Sequence, residues 1–180
     1  DTGVVVSESL RIGGDSFNEA IIQYVRRKKK LVIGPLTAEE IKISAGTVDR
    51  RSEEREVEIR GRDVISGLPK IVTLHSLEIQ RALESQVMSI LEAIKSILEK
   101  TPPELVAAIG DHGIILTGGG ALISGLDRVI SRSVVIAAYL VELPRYAVIK
   151  GVAKTLDEMS SLRDTLEAVS YTHLTLPTIC

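Results

Sequence analysis

The chain has 180 residues, of which 44% are hydrophobic and 26% charged, a composition that can bury a real core in a soluble globular protein. A formal net charge of −2 and an aromatic content of 3% provide neither the basic footprint nor the stacking platform of a nucleic-acid binder, so no nucleic-acid partner is expected. The single cysteine, Cys180, excludes an internal disulfide, and with three histidines there is no soft-metal cluster to build.

These features fit a reducing, cytoplasmic setting. The longest apolar run, Val134 to Val141, is too short to span a bilayer, and the N-terminus has no signal-peptide pattern. The chain begins at Asp1 and enters a strand-like Val4-Val5-Val6 at once, which predicts a piece of a longer protein.

Val4 to Val6 and Glu8 to Ile12 read as two short strands or a hairpin, broken by Gly13-Gly14, with Asp15 as candidate N-cap of a helix. In that helix Phe17, Ala20, Ile21, Tyr24 and Val25 share one apolar face, and Asn18, Glu19, Gln23 and Arg26 lie outside it. The basic run Arg26 to Lys30 then reads as a solvated helix C-terminus, where cations complement the macrodipole; a membrane-surface or phosphate patch is the other reading. Thr37-Ala-Glu-Glu40 has capping-box spacing and predicts a short second helix that Gly46 ends.

Residues 47 to 56 are charged and aperiodic and read as an exposed loop. Alternation around Val57 and Ile59, turn residues at Gly61 and Gly67, and Ile71 to Leu74 predict two strands of a small sheet. Ser76 is a candidate cap for the next helix, whose stripe of Val87, Ile90, Leu91, Ile94, Ile97 and Leu98 is the most regular in the chain. Thr101-Pro-Pro-Glu104 stops it and caps another.

Ile114, Ile115 and Leu116 read as a short buried strand running into Gly118-Gly119-Gly120, and Leu122, Leu126, Val129 and Ile130 as the stripe of a following helix. A strand–glycine–helix turn exposes backbone and lets a flat or anionic ligand approach it; the same triplet also suits a plain tight connection. Val134 to Leu140 reads as a buried strand, and Pro144 as the opening of a last helix with Ala147, Gly151, Val152 and Leu156 along one side. Carboxylate pairs such as Glu39-Glu40 and Glu53-Glu54 are explained by a helix cap and a solvated loop, and no nucleophile–base set is visible.

The string Leu116-Thr-Gly-Gly-Gly-Ala-Leu-Ile-Ser-Gly-Leu126, preceded by Lys100 to Ile109, resembles the adenosine motif of bacterial actins of the MreB family. Arg11-Ile-Gly-Gly-Asp15, Asn18 to Tyr24, Thr37 to Lys42, Arg60-Gly-Arg-Asp63, Gly67-Leu-Pro-Lys70 and Glu92-Ala-Ile-Lys95 resemble the same family's second half in the same order, over about residues 3 to 159. One departure stands out: Leu143, not an aspartate, precedes Pro144. The tail from Ser170 to Cys180 has no counterpart and resembles translated sequencing-adapter strings; the alternative is a native, Thr-rich edge strand, which Pro177 opposes.

The resemblance implies an α/β, actin-like ATPase (ribonuclease H-like) fold, second lobe only. Residues 1–13 and 85–165 would form a lower subdomain, 14–84 a smaller inserted upper α+β subdomain, and 166–180 a disordered or artefactual tail. It implies ATP as cofactor, with adenosine contacts from Glu39, Glu40, Ile41 and Lys42 and from Gly118, Gly119, Gly120 and Ala121. Mg and its ligands, the phosphate loops and the catalytic residues would lie outside this stretch, so no catalytic or metal residue is expected in it. The implied partners are further copies in a head-to-tail filament and the cell-wall elongation machinery, with membrane contact made by the other lobe. The implied function is a cytoplasmic, membrane-associated filament that directs wall synthesis and rod shape. A sugar kinase or ATP-driven chaperone of the same superfamily, and a nucleotide-free interaction module, are the alternatives.

Overall fold

The computed structural model describes residues 3–157 of the chain. Helix α1, Gly14–Lys29, starts at Gly13, whose N–H donates to Ser16 Oγ while that hydroxyl donates back to the Gly13 carbonyl, both at 2.8 Å. Asp15 therefore lies in the first turn, where its charge favours the positive helix end, and does not cap it. Phe17, Ile21 and Val25 are buried on one stripe as their spacing predicts, but Asn18, expected outside, is buried too.

Strand β1, Leu31–Val32, leads to α2, Pro35–Ala45. Proline at the first helical position starts α2 two residues before Thr37, because its fixed φ suits a helix start and its missing N–H costs nothing there. Strands β2, Glu56–Asp63, and β3, Pro69–His75, form an antiparallel hairpin that β1 extends into a sheet ordered β1-β2-β3. Ile59 and Leu74 point from this sheet into the core. Helix α3, Ser76–Lys100, is capped by His75 and not by Ser76, whose buried hydroxyl accepts the Arg55 N–H at 3.0 Å. It crosses the molecule with Ile79, Leu83, Val87 and Leu91 buried in a single core shared with α1, α2 and Ile130.

Helix α4, Pro103–His112, precedes β4, Ile114–Leu116, which pairs in parallel with β5, Ala138–Leu140; α5, Leu126–Val134, is the crossover, and α6, Ala147–Asp157, follows. Several expectations need correction here. Val4 to Ile12 lies outside both sheets, with Val4 and Val5 exposed, since an extended segment becomes a strand only in a ladder. Strand β4 is not buried: Ile115 is 68% exposed. Residues 134–140 are the end of α5, a left-handed Val135 and a three-residue surface strand, not one buried strand.

The glycine triplet passes into a 3₁₀ turn, Gly119–Leu122, that leaves Leu122 exposed, and α5 starts only at Leu126. Pro144 likewise opens a 3₁₀ turn, with α6 beginning at Ala147. The loop after α2 is not exposed throughout, because Thr47, Val48 and Asp49 are buried. The tail from Ser170 lies outside the described residues.

Candidate functional site

Helix α2 and the 3₁₀ turn after β4 face each other across a cleft of about 300 Å³, floored by Phe17 and Ile123. Glu39 and Lys42 line one side, Gly119 and Gly120 the other, and Arg145 and Arg55 stand at its edges. The walls are tied together at the back. Thr47 bridges to Ser124 in parallel, the Val48 N–H donates to the Ser124 carbonyl at 3.0 Å, and the Thr47 hydroxyl donates to it at 3.2 Å.

Glu39 is held by two donors. Lys42 Nζ lies 2.6 Å and Asn18 Nδ2 2.7 Å from the same carboxylate oxygen, and Lys42 Nζ also donates to the Gly14 carbonyl at 3.1 Å. The Lys42 hydrogen bond, with that of Asn18, keeps the Glu39 carboxyl below its ordinary range against the opposing effect of burial. Lys42, one helical turn from Glu39 on α2, and Asn18 of α1 thus fix an ionised acceptor at the cleft wall.

The triplet divides its tasks. Gly118 adopts φ +90° and spends its N–H on the Pro144 carbonyl at 3.0 Å. Its carbonyl accepts the Ala121 N–H at 3.2 Å, closing the turn. Gly119 and Gly120 line the cleft with space above them: a Cβ on Gly119 would meet only Arg145 Cγ at 3.9 Å, and the atoms nearest to one on Gly120 are those of the Gly13-Gly14 backbone, at 3.7 Å or more. Leu143, at φ 51°, delivers Pro144 to this turn.

Of the residues marked in the sequence, Glu39, Lys42, Gly119 and Gly120 therefore come together. Gly118 and Ala121 shape the turn. Ile41 is 1% exposed and belongs to the core, and Glu40 sits on another flank of α2 beside Thr37, Ser44 and β2. Asn18, Phe17 and Arg145 are site residues that sequence reasoning missed. Helical spacing puts Asn18 outside the apolar stripe of α1, and only its partner Glu39, 21 residues on, accounts for its burial.

Behind the cleft Asp49 is 2% exposed and accepts from Arg132, Arg128 and the Arg51 N–H, which couples the loop after α2 to α5. Gly125, at φ +86°, starts α5 against this aspartate, and a Cβ there would come within 2.5 Å of Asp49 Cβ. Among the described residues no three of His, Cys, Asp and Glu gather as a metal site, and no helix is long and apolar enough to cross a membrane.

The MreB/Mbl protein family model matches residues 1–164. The chain is 43% identical over 159 residues to the cell shape-determining protein Mbl of Bacillus subtilis (strain 168), covering 88% of this chain and 48% of that protein. It is 45% identical over 155 residues to the cell shape-determining protein MreB of Escherichia coli (strain K12), covering 86% and 45%. The chain thus spans about half the length of the curated relatives it matches. Among solved structures, MreB 5 of Spiroplasma citri bound to AMPPNP aligns with a TM-score of 0.83 at 32% identity, over 89% of this chain and 48% of that one. The same protein bound to ADP aligns equally well. The MamK double helical filament, with a TM-score of 0.64 at 21% identity over 76% of this chain and 42% of that one, shares the fold. The fold is actin-like, and the chain belongs to the MreB/Mbl protein family, whose curated members named above are cell shape-determining proteins.

Proposed function

We propose that this chain supplies the adenosine side of the ATP cleft in an actin-like protein that assembles head to tail beneath the membrane and directs wall synthesis and cell shape. The observation that carries the reading is the convergence of Glu39, Lys42, Gly119 and Gly120 on one cleft from two distant segments. The cleft's volume is at the lower end for small-molecule sites and suits a nucleoside. Its ionised Glu39 is an acceptor for sugar hydroxyls, and the bare backbone at Gly119 and Gly120 leaves room for a flat ring. The S. citri relative's structures with AMPPNP and ADP support the choice of ligand.

ATP, when bound, supplies the purine and ribose for this cleft and a triphosphate with its Mg. The lining holds one carboxylate, Glu39, already paired with Lys42, so it offers no ligand set for Mg. The division into an upper subdomain of residues 14–84 and a lower one of 1–13 and 85–165 is part of the reading. It is supported by one sheet falling in each, with α3 running continuously through both.

Calorimetric titration of the chain with adenosine, ADP and ATP tests the proposal. The three should bind with affinities within about tenfold, a spread of about 1.4 kcal/mol, because the contacts are to the nucleoside. Binding of ATP with none of adenosine would place the recognition elsewhere.

A further inference from the structure

The nucleotide reading leaves a second pocket unused. Gln80, Glu84, Val87 and Leu91 fall at helical spacing on one face of α3 and line this pocket, whose volume is about 270 Å³. Val129 and Arg132 of α5 and the loop from Val48 to Arg51 complete it, and none of these residues lines the nucleotide cleft. Its floor is apolar, since Val48, Val87 and Leu91 are buried. Gln80 is the anomaly. It lies on the core side of α3 beside Ile79 and Leu83 and is 6% exposed, yet its side-chain amide has no hydrogen-bond partner among the described residues. A buried amide without a partner destabilises the fold, so one that lines a pocket points to an occupant that satisfies it.

Charge narrows the choice of occupant. Arg50, Arg51 and Arg132 line the pocket against two carboxylates, and both carboxylates are engaged, Asp49 by Arg132 and Arg128 and Glu84 by Arg50. Arg51 is exposed, and its guanidinium makes no ion pair among the described residues. A free guanidinium above an apolar floor selects an anion with an apolar body, and a carboxylate also accepts from the Gln80 amide. The volume, just below the usual range for drug-sized ligands, selects a short molecule.

We propose that the pocket between α3, α5 and the loop after α2 is a ligand site for a short amphiphilic carboxylate, its acid group on Gln80 and Arg51 and its chain on Val87, Leu91 and Val129. It does not rest on the nucleotide cleft, and either can fail without the other.

The test is two-dimensional NMR of the full chain titrated with octanoate, with octanamide and acetate as controls. Octanoate should move the Gln80 side-chain amide and the backbone amides of Val48, Leu91 and Val129 to saturation. Octanamide, which keeps the chain and lacks the charge, should bind roughly fivefold more weakly, and acetate should leave these signals in place. Gln80→Leu nearly keeps the side-chain volume and removes the amide. It should weaken octanoate about tenfold, as loss of a hydrogen bond to a charged group does, while the melting temperature holds or rises because an unpartnered buried group is gone. A Gln80 with only a structural role would move the melt and not the titration. Arg51→Ala, at an exposed position, should weaken octanoate about threefold and keeps the test decisive if Gln80→Leu does not fold. No saturable shift, shifts centred on Gly119 and Gly120 instead, octanamide binding as tight as octanoate, or octanoate binding that the folded variants retain in full overturns the proposal.

Discussion

Arg132 grips Asp49 with both arms of its guanidinium, Nη2 to Oδ1 at 2.6 Å and Nη1 to Oδ2 at 3.2 Å, across 83 residues of chain. The pair locks α5, and with it the downstream end of the glycine turn, to the loop that leaves α2. It is a mechanical brace for the cleft, set behind it.

The Arg132 hydrogen bonds, helped by Arg51 and Arg128 and opposed by burial, hold the Asp49 carboxyl at about 2. Its folded value lies below its unfolded one, so its contribution is present above about pH 4 and is lost as pH falls through about 2. Asp49→Asn should cost about 1–3 kcal/mol at neutral pH, less than for a fully buried pair because both arginines are half-exposed. Urea unfolding from pH 7 to pH 2 checks this. The difference between wild type and variant should shrink toward acid, and a constant difference would contradict it.

Gly125→Ala should be costly out of proportion to one methyl group. The position needs φ +86°, and the new Cβ would fall 2.5 Å from Asp49 Cβ. Left-handed strain and overpacking together come to about 2–4 kcal/mol. A thermal melt within error of wild type would show that the turn relaxes freely.

Asn18→Ala should release one of the two donors on Glu39 and let its carboxyl rise toward the ordinary range. Side-chain carboxyl NMR across the acid range reads this directly. An unmoved Glu39 titration would mean that Lys42 alone sets it.

What the sequence revealed and what it concealed divide along physical lines. The stripes of α1 and α3 and the alternation of β2 and β3 were legible because apolar period reports local burial directly. Asn18 and Asp49 were not, since a buried polar residue is stabilised by partners far along the chain, Glu39 in one case and Arg132 in the other. The ends of α2 and α3 shifted for a local reason: Pro35 and His75 took the starting positions that Thr37 and Ser76 were expected to mark. Of the site, Gly119 and Gly120 with Glu39 and Lys42 could be read from motif resemblance, while Ile41 was drawn inward by the stripe of α2.

The filament reading predicts weak end-to-end association of this chain, because a heterologous contact that does not close propagates, and interfaces below about 1,200 Å² are usually transient. Sedimentation velocity should show concentration-dependent dimers and short oligomers. Charge reversal at Glu53, Glu54 and Glu56, of which Glu54 and Glu56 are well exposed beside His75, should shift that equilibrium. A strict monomer at high concentration, or a closed dimer that ignores the reversal, would contradict the arrangement.

The central claim is that the cleft between α2 and the 3₁₀ turn holds an adenine nucleoside. The most direct test is equilibrium titration of a fluorescent adenine nucleotide against the wild-type chain and Gly119→Val, with unlabelled ATP as competitor. Gly119 has no positive φ and only Arg145 near its Cβ position, so valine should fill the cleft and leave the melting temperature unchanged. The account predicts ATP-displaceable binding that Gly119→Val weakens roughly tenfold or more. Binding that the folded variant retains in full, or none in the wild-type chain, would contradict it.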